Sequence, residues 1–172
     1  MFDFRRSVLS DISEMMEIVN AAKALLKSQN INQWQTGYPN ADLLADDVAK
    51  QIGWIAVKNG QIAGLCALTV QPEACYKIID GRWLTAEENY AVVHRMAVAP
   101  HFYGQGIPQF MFSEIEKLAF ASGKSSLRAD THPQNLAMQK TLAKNGFTLC
   151  GGIKLIGGAE DGQPRIGYEK RL

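Results

Sequence analysis

Cysteine is scarce in this sequence: Cys66, Cys75 and Cys150 make an odd number with no paired ligand spacing. That excludes a disulfide scaffold and a thiolate metal site, and reduced thiols in the cytoplasm are the expectation. Long apolar runs are missing too. None approaches the roughly 20 residues of a membrane span, so no membrane partner is expected. Dense lysine and arginine runs are absent and the formal net charge is +1, which leaves nucleic acid or an anionic membrane surface no electrostatic footprint to hold. The opening Met1-Phe-Asp-Phe-Arg-Arg-Ser7 puts charges where a secretory signal needs its apolar core. His101 and His132 sit beside turns without a metal-ligating arrangement, so no metal is expected. Repeats, low-complexity segments and linkers are also lacking. The 172 residues, 47% of them hydrophobic, suit one domain over 1–172, and a chain of this length buries roughly 70% of its unfolded surface.

What is present alternates between strand and helix signals. Asp3 to Val8 reads as a short strand, followed by a helix capped at Ser10 or Asp11 with Ile12, Met15, Met16, Val19, Ala22 and Leu26 at helical spacing. An aromatic loop over Asn30 to Asn40 leads to a second helix from about Ala41 to Gln51. Trp54 to Val57 and Ile62 to Val70 flank Asn59-Gly60, the pair that supplies the positive φ angles of a type I′ hairpin turn. A looser polar stretch, Gln71 to Asn89, precedes a strand over Ala91 to Ala99. A helix with Phe110, Met111, Ile115, Leu118 and Ala119 on one side follows, then a strand over Ser126 to Asp130. These three pieces form a βαβ unit, so the two strands are expected to lie parallel. A helix from Pro133 to Asn145 with Gly146 as its stop, and closing strands over Phe147 to Ile156 and Arg165 to Lys170, complete the chain.

Between the strand and helix of the βαβ unit lies Tyr103-Gly-Gln-Gly-Ile-Pro108. Gly104 and Gly106 let the backbone approach a ligand closely, and a helix start presents unpaired N–H groups at a positive dipole end. That is an anion cradle, most often for phosphate. No Gly-Lys-Ser/Thr follows and no Gly-x-Gly-x-x-Gly opens the unit, so neither an NTPase loop nor a dinucleotide fingerprint is present.

The order of elements, with His94-Arg-Met-Ala-Val98 leading through Pro100 and Phe102 into Tyr103-Gly-Gln-Gly-Ile107, resembles the GNAT (GCN5-related) N-acetyltransferase superfamily. Asn135, Lys144, Gly146 and Phe147 match a later family pattern. The stretch Asp130-Thr-His-Pro-Gln-Asn-Leu-Ala-Met-Gln-Lys140 looks closest to a subset of small bacterial members. The resemblance implies an α/β fold with a mixed central sheet of about seven strands flanked by about four helices. It also implies acetyl-CoA as co-substrate, no metal, and direct transfer of acetyl to an amine of a small molecule or peptide; a monomer and a homodimer both stay open. By position, backbone groups of Met96, Ala97 and Val98 would pair with pantetheine. The N–H groups from Tyr103 through Gly104, Gln105 and Gly106 to Ile107 would hold the pyrophosphate, and Asn135 would lie near the pantetheine arm.

Three positions depart from the family pattern. Tyr103 stands where a long polar or cationic residue is usual, and Pro108 replaces a small residue and has no N–H to donate. Leu142 stands where many members carry a tyrosine that protonates the departing thiolate. These departures sustain an alternative, a non-catalytic module of the same fold that binds acyl-CoA or a partner. For turnover, a base must take the amine proton. His94 is the first candidate, at a position where relatives that acetylate arylalkylamines carry a histidine; Glu87 and Glu88, just before the same strand, are the others. Strand alternation groups His94 with Tyr90, Val92, Met96 and Val98. Trp34 and Tyr38 are candidate acceptor-pocket residues, whereas Asp46 and Asp47 read as exposed helix charges. Cys66 reads as core, so no covalent nucleophile is evident.

Overall fold

The computed structural model describes residues 2–86 and 89–172. Eight strands and four helices follow in the order β1 (Phe2–Arg6), α1 (Ile12–Ser28), α2 (Ala41–Ala49), β2 (Gly53–Lys58), β3 (Gln61–Thr69), β4 (Asp80–Gly81), β5 (Tyr90–Val98), α3 (Ile107–Ala121), β6 (Ser126–Thr131), α4 (Leu136–Lys144), β7 (Thr148–Lys154) and β8 (Pro164–Arg171). The strands form one mixed sheet, β1-β2-β3-β5-β6-β8-β7-β4. Among the described residues only β5 and β6 run parallel, joined by α3 as the βαβ pattern requires; the other neighbours are antiparallel.

Local chemistry sets the boundaries. Asn59 (φ 51°) and Gly60 (φ 80°) turn the β2–β3 hairpin with two left-handed residues, as a type I′ turn demands. Asn40 caps α2 by accepting the Leu43 N–H at 2.9 Å. At the end of α4, Phe147 N–H reaches Leu142 O and Gly146 N–H reaches Ala143 O, a Schellman closure with Gly146 left-handed at φ 84°. Helix α4 starts at Leu136, three residues later than the sequence pattern suggests, because the Asn135 side chain caps it by accepting from Met138 N–H.

The mixed sheet of about seven strands expected from the sequence is present, with one short strand beyond the seven segments read there. Asp80 and Gly81 pair with Gly152 and Gly151 of β7 at the sheet edge. Two residues are too few to carry a period, so the segment reads only as polar loop. Its pairing depends on close backbone approach: a Cβ on Gly81 would lie 2.2 Å from Cys150 O.

The main core packs α1, α2 and α3 on β2, β3 and β5, with Met15, Ile55, Leu65, Met111, Phe112 and Ile115 among its fully buried side chains. Helix α3 lies close over β3 at Gly64, where an added Cβ would meet Met111 Sδ at 2.8 Å, Ala97 O at 3.0 Å and Ile107 Cγ2 at 3.1 Å. The methionine can yield, but the carbonyl belongs to a central strand. Gly64→Ala is expected to lower stability by about 1–3 kcal/mol through overpacking, read as a lower denaturant midpoint; an unchanged midpoint would show that α3 can shift freely.

Candidate active site

The parallel pairing of β5 and β6 stops early. Tyr90, Ala91 and Val92 pair with Ser126, Leu127 and Arg128, yet β5 continues to Val98 and β6 to Thr131. Strand β6 stays paired with β8 on its other edge over its whole length, while the facing edges of β5 from Val93 and of β6 from Ala129 are not paired with each other. Below the opening, a buried network ties the strands together. Glu169 on β8 accepts from Ser126 Oγ at 2.6 Å and Arg128 Nε at 3.1 Å, and the Arg128 guanidinium lies 3.9 Å from the Tyr90 ring centroid. Above it, a cleft of about 690 Å³ opens between β5 and β6, lined on its β5 side by Val93 to Val98.

A bulge on β5 shapes that wall. Leu65 lies opposite Ala97 and Ala67 opposite His94, so Arg95 and Met96 share the place facing Cys66, and Arg95 is left-handed at φ 55°. Strict alternation therefore fails here: the register puts His94 on one face with Val92 and Ala97, not with Met96 and Val98. The bulge residue is held from the side. Arg95 makes a two-pronged ion pair with Asp47 of α2, at 2.7 and 3.0 Å, and donates to Tyr38 Oη at 3.2 Å. Asp47 is thus buried rather than an exposed helix charge. Burial pushes its carboxyl above the ordinary value, against the opposing pull of Arg95.

Backbone donors are distributed along the same edge. Ala99 N–H donates to Ala63 O on β3 at 2.9 Å. Counting back from Ala99, strand alternation turns the backbone groups of Ala97 to β3 and those of Val98 to the cleft, while Met96 sits in the bulge. Of the three residues expected to offer backbone groups, Ala97 therefore contributes only its side chain to the wall. In the loop, Tyr103 N–H is used by Pro100 O and Gln105 N–H by Phe102 O. The N–H groups of Gly104, Gly106 and Ile107 have no intramolecular acceptor among the described residues. Gly104 and Gly106 adopt φ 75° and 77°, and a Cβ on either would meet no atom closer than 4.0 Å. Their glycines answer to backbone conformation, and the space over them is free for a ligand. Pro108 occupies the first turn of α3, which tolerates its missing N–H. These unpaired donors at a helix start, beside an open strand edge, fit a pyrophosphate continued by an amide-bearing arm.

The remaining candidates fall in several places. His94 lines the cleft; its Nε2 lies 2.9 Å from Glu73 Oε1 and 3.5 Å from Thr69 Oγ1. Trp34 and Tyr38 line the cleft as well, with Trp34 N–H donating to Glu160 Oε1 at 2.6 Å. Asn135 borders it, but its side chain is engaged: Oδ1 caps α4 and Nδ2 donates to Gln33 Oε1 at 3.0 Å. Leu142 is buried and forms part of the wall. Glu87 and Glu88 lie outside the described residues.

Several site residues were not singled out from the sequence. Glu73, in the polar stretch before β5, is one. The hydrogen bond from His94 holds its carboxyl below the ordinary value of 4.5. Asp130, near the C-terminal end of β6, is another: it accepts from Tyr76 Oη at 2.8 Å and lies 3.8 Å from Arg165 Nε. Burial pushes its carboxyl up. Position at the end of a parallel strand was the available signal for Asp130; Glu73 had none. Burial likewise raises the thiols of Cys66 and Cys75 to about 12, which keeps both protonated and poorly nucleophilic.

Two expectations follow. Asp47→Ala leaves a buried guanidinium without its carboxylate and is expected to cost about 3–5 kcal/mol in chemical denaturation; a loss under 1 kcal/mol would mean that Arg95 finds water or another partner. Because the Glu73 carboxyl is lowered in the folded state, its stabilisation is present above its unfolded value and lost as pH falls through the folded one. Glu73→Gln is therefore expected to lose less stability than the wild type between about pH 5 and pH 3, and equal slopes in melting scans would refute it.

Comparison with known proteins places this geometry. No curated protein matches the chain. A GNAT-family acetyltransferase from Streptococcus agalactiae superposes with a TM-score of 0.86 at 28% identity, over 99% of this chain and 95% of that one. A protein from Salmonella typhimurium, solved with its cofactor acetyl-CoA, superposes at 0.67 and 19% identity over 99% and 94% of the two chains. An N-acetyltransferase from Thermoplasma acidophilum in complex with coenzyme A gives 0.71 and 16% over 100% and 99%. The Acetyltransferase (GNAT) family model matches residues 19–147, and on that match the chain belongs to the GNAT acetyltransferase family.

Proposed function

We propose that the protein transfers acetyl directly from acetyl-CoA to an amine, and that His94 accepts the amine proton. The observation that carries this reading is the placement of the His94–Glu73 pair on the cleft wall beside the unpaired edge of β5. An ionised Glu73 only accepts, so in the neutral ring Nε2 carries the proton and Nδ1 holds the free lone pair. The amine nitrogen bonds to the thioester carbon as the carbonyl electron pair moves to oxygen, and collapse of that tetrahedral oxyanion re-forms the carbonyl and breaks the C–S bond. The electron pair leaves on sulfur, and the amine proton passes to His94 Nδ1 directly or through one water. Met96 N–H, in the bulge on the cleft wall, would be the donor for the oxyanion. Leu142 supplies no acid, so solvent protonates the thiolate, whose ordinary acidity near pKa 8.5 makes it a fair leaving group. Cys66 and Cys75, held protonated, support direct transfer over a covalent relay. All three cysteines are unpaired, in keeping with the cytoplasmic setting that forms part of the proposal.

The loop would hold the pyrophosphate through Gly104, Gly106 and Ile107, with one donor fewer at Pro108. A hydrogen bond to a charged group is worth about 1.5–3 kcal/mol. Pro108→Ala, which restores an N–H in the first turn, is therefore expected to tighten acetyl-CoA binding roughly tenfold in calorimetric titration. His94→Ala is expected to lower kcat for amine acetylation about 10²–10⁴-fold while leaving acetyl-CoA affinity intact. Tight acetyl-CoA binding with no transfer to any amine would favour the non-catalytic alternative; absence of binding by the wild type and Pro108→Ala would sink both.

A further inference from the structure

The charges around the cleft do not balance. Arg95 spends Nε and Nη2 on Asp47 and Nη1 on Tyr38. Arg165 spends Nη2 on Glu160, at 2.7 Å, and Nη1 on Gln163 and the Pro164 carbonyl. Both guanidiniums are therefore committed within the protein, and both are nearly inaccessible, at 10% and 2% side-chain exposure. Neither is left to receive an anionic group on a substrate. The acids differ. Asp47 and Glu160 each own a close arginine, whereas Asp130 has only the Tyr76 hydroxyl and the longer approach of Arg165 Nε at 3.8 Å. Glu73 faces His94, which is neutral in its basic state. Continuing the parallel register beyond Val92 and Arg128 sets Asp130 across the opening from His94. Glu73 and Asp130 thus stand on the β5 and β6 sides of the proton-accepting imidazole, and both line the cleft.

We propose that Glu73 and Asp130 form a cation-selective acceptor subsite, which takes a primary amine on an apolar body and rejects amines with a carboxylate beside the nitrogen. This rests on the acetyltransferase reading above and specifies its acceptor. An ammonium entering between the two carboxylates gains charge-assisted hydrogen bonds from both, and His94 lies at hand to take its proton. Trp34 and Tyr38 on the same cleft offer aromatic faces, while Leu25 and Ile156, exposed at its rim, offer apolar surface to the rest of the molecule. An α-carboxylate would enter the same space beside Glu73 and Asp130 with no uncommitted arginine or lysine among the residues lining the cleft to meet it, a like-charge juxtaposition in a partly desolvated site.

Matched pairs of amines test this by equilibrium binding, without requiring turnover. Tyramine against tyrosine, and cadaverine against lysine, are titrated calorimetrically into the protein saturated with CoA, and acetylation is followed in parallel with acetyl-CoA. The amines are expected to bind, and each amino acid to bind on the order of a hundredfold more weakly than its decarboxylated partner. Asp130→Asn is expected to raise the tyramine Kd and KM roughly ten- to a hundredfold with the acetyl-CoA Kd unchanged. Glu73→Gln serves as the second variant should Asp130→Asn fail to fold, with melting temperature as the control. Equal binding of amine and amino acid, unchanged tyramine affinity in the folded variants, or no amine binding to the CoA complex would overturn the subsite. Failure of the parent reading is separately visible as loss of acetyl-CoA binding itself.

Discussion

The two edges of β5 meet different fates, and that asymmetry organises the molecule. One edge is paired with β3 along most of its length, while the other is paired with β6 only as far as Val92. An unpaired central strand is costly, because buried N–H and C=O groups need partners. A protein keeps such an edge only where a ligand or water completes it. Here the break is fixed from both ends. The Glu169–Arg128 network clamps the paired end, and the left-handed bulge at Arg95, tied to Asp47, sets the wall beyond it. The proposed cofactor cradle, proton acceptor and acceptor subsite all border the opening that results.

Buried ion pairs do the positioning in this site. Replacing such a pair with apolar residues often costs nothing in stability, whereas removing one partner costs several kcal/mol. Their value lies in geometry. Asp47 fixes the bulge residue from α2 and so ties that helix to β5. Glu160 does the same for Trp34, accepting its N–H while pairing with Arg165 of β8. The loop between α1 and α2 is thereby tied across 126 residues of sequence to the end of the chain. Arginine suits this task because its forked donors can be saturated inside the protein, which in turn removes them as ligands for a substrate.

Much of this was readable from the sequence where the signal is local. The Asn59-Gly60 hairpin, the Gly146 stop and the glycine loop before α3 each depend on a few adjacent residues with a single conformational use. The parallel βαβ unit followed from topology alone. Readings failed where the decisive contact is long-range. Alternation along β5 misgrouped His94 with Met96 and Val98, since a bulge is set by pairing with β3 and leaves no mark on the strand's own pattern. Asp47 looked like a solvated helix charge because its partner lies 48 residues away. The edge strand at Asp80 and Gly81 is shorter than any period.

The departures from the family pattern become intelligible once the donors are counted. Tyr103 and Pro108 remove a cation and an N–H, yet Gly104, Gly106 and Ile107 keep their N–H groups free at the start of a helix. Lys58 also brings an ammonium to the loop, 2.6 Å from Gln105 Oε1. The loop therefore retains the helix-terminal field that attracts phosphate and loses only part of its hydrogen bonding. The substitution of leucine at position 142 acts differently. It puts a buried apolar side chain on the cleft wall where an acid would otherwise stand. On the proposed reading, proton removal from the amine is the step that the side chains of this cleft would serve, and the departure of the thiolate would be left to its own chemistry.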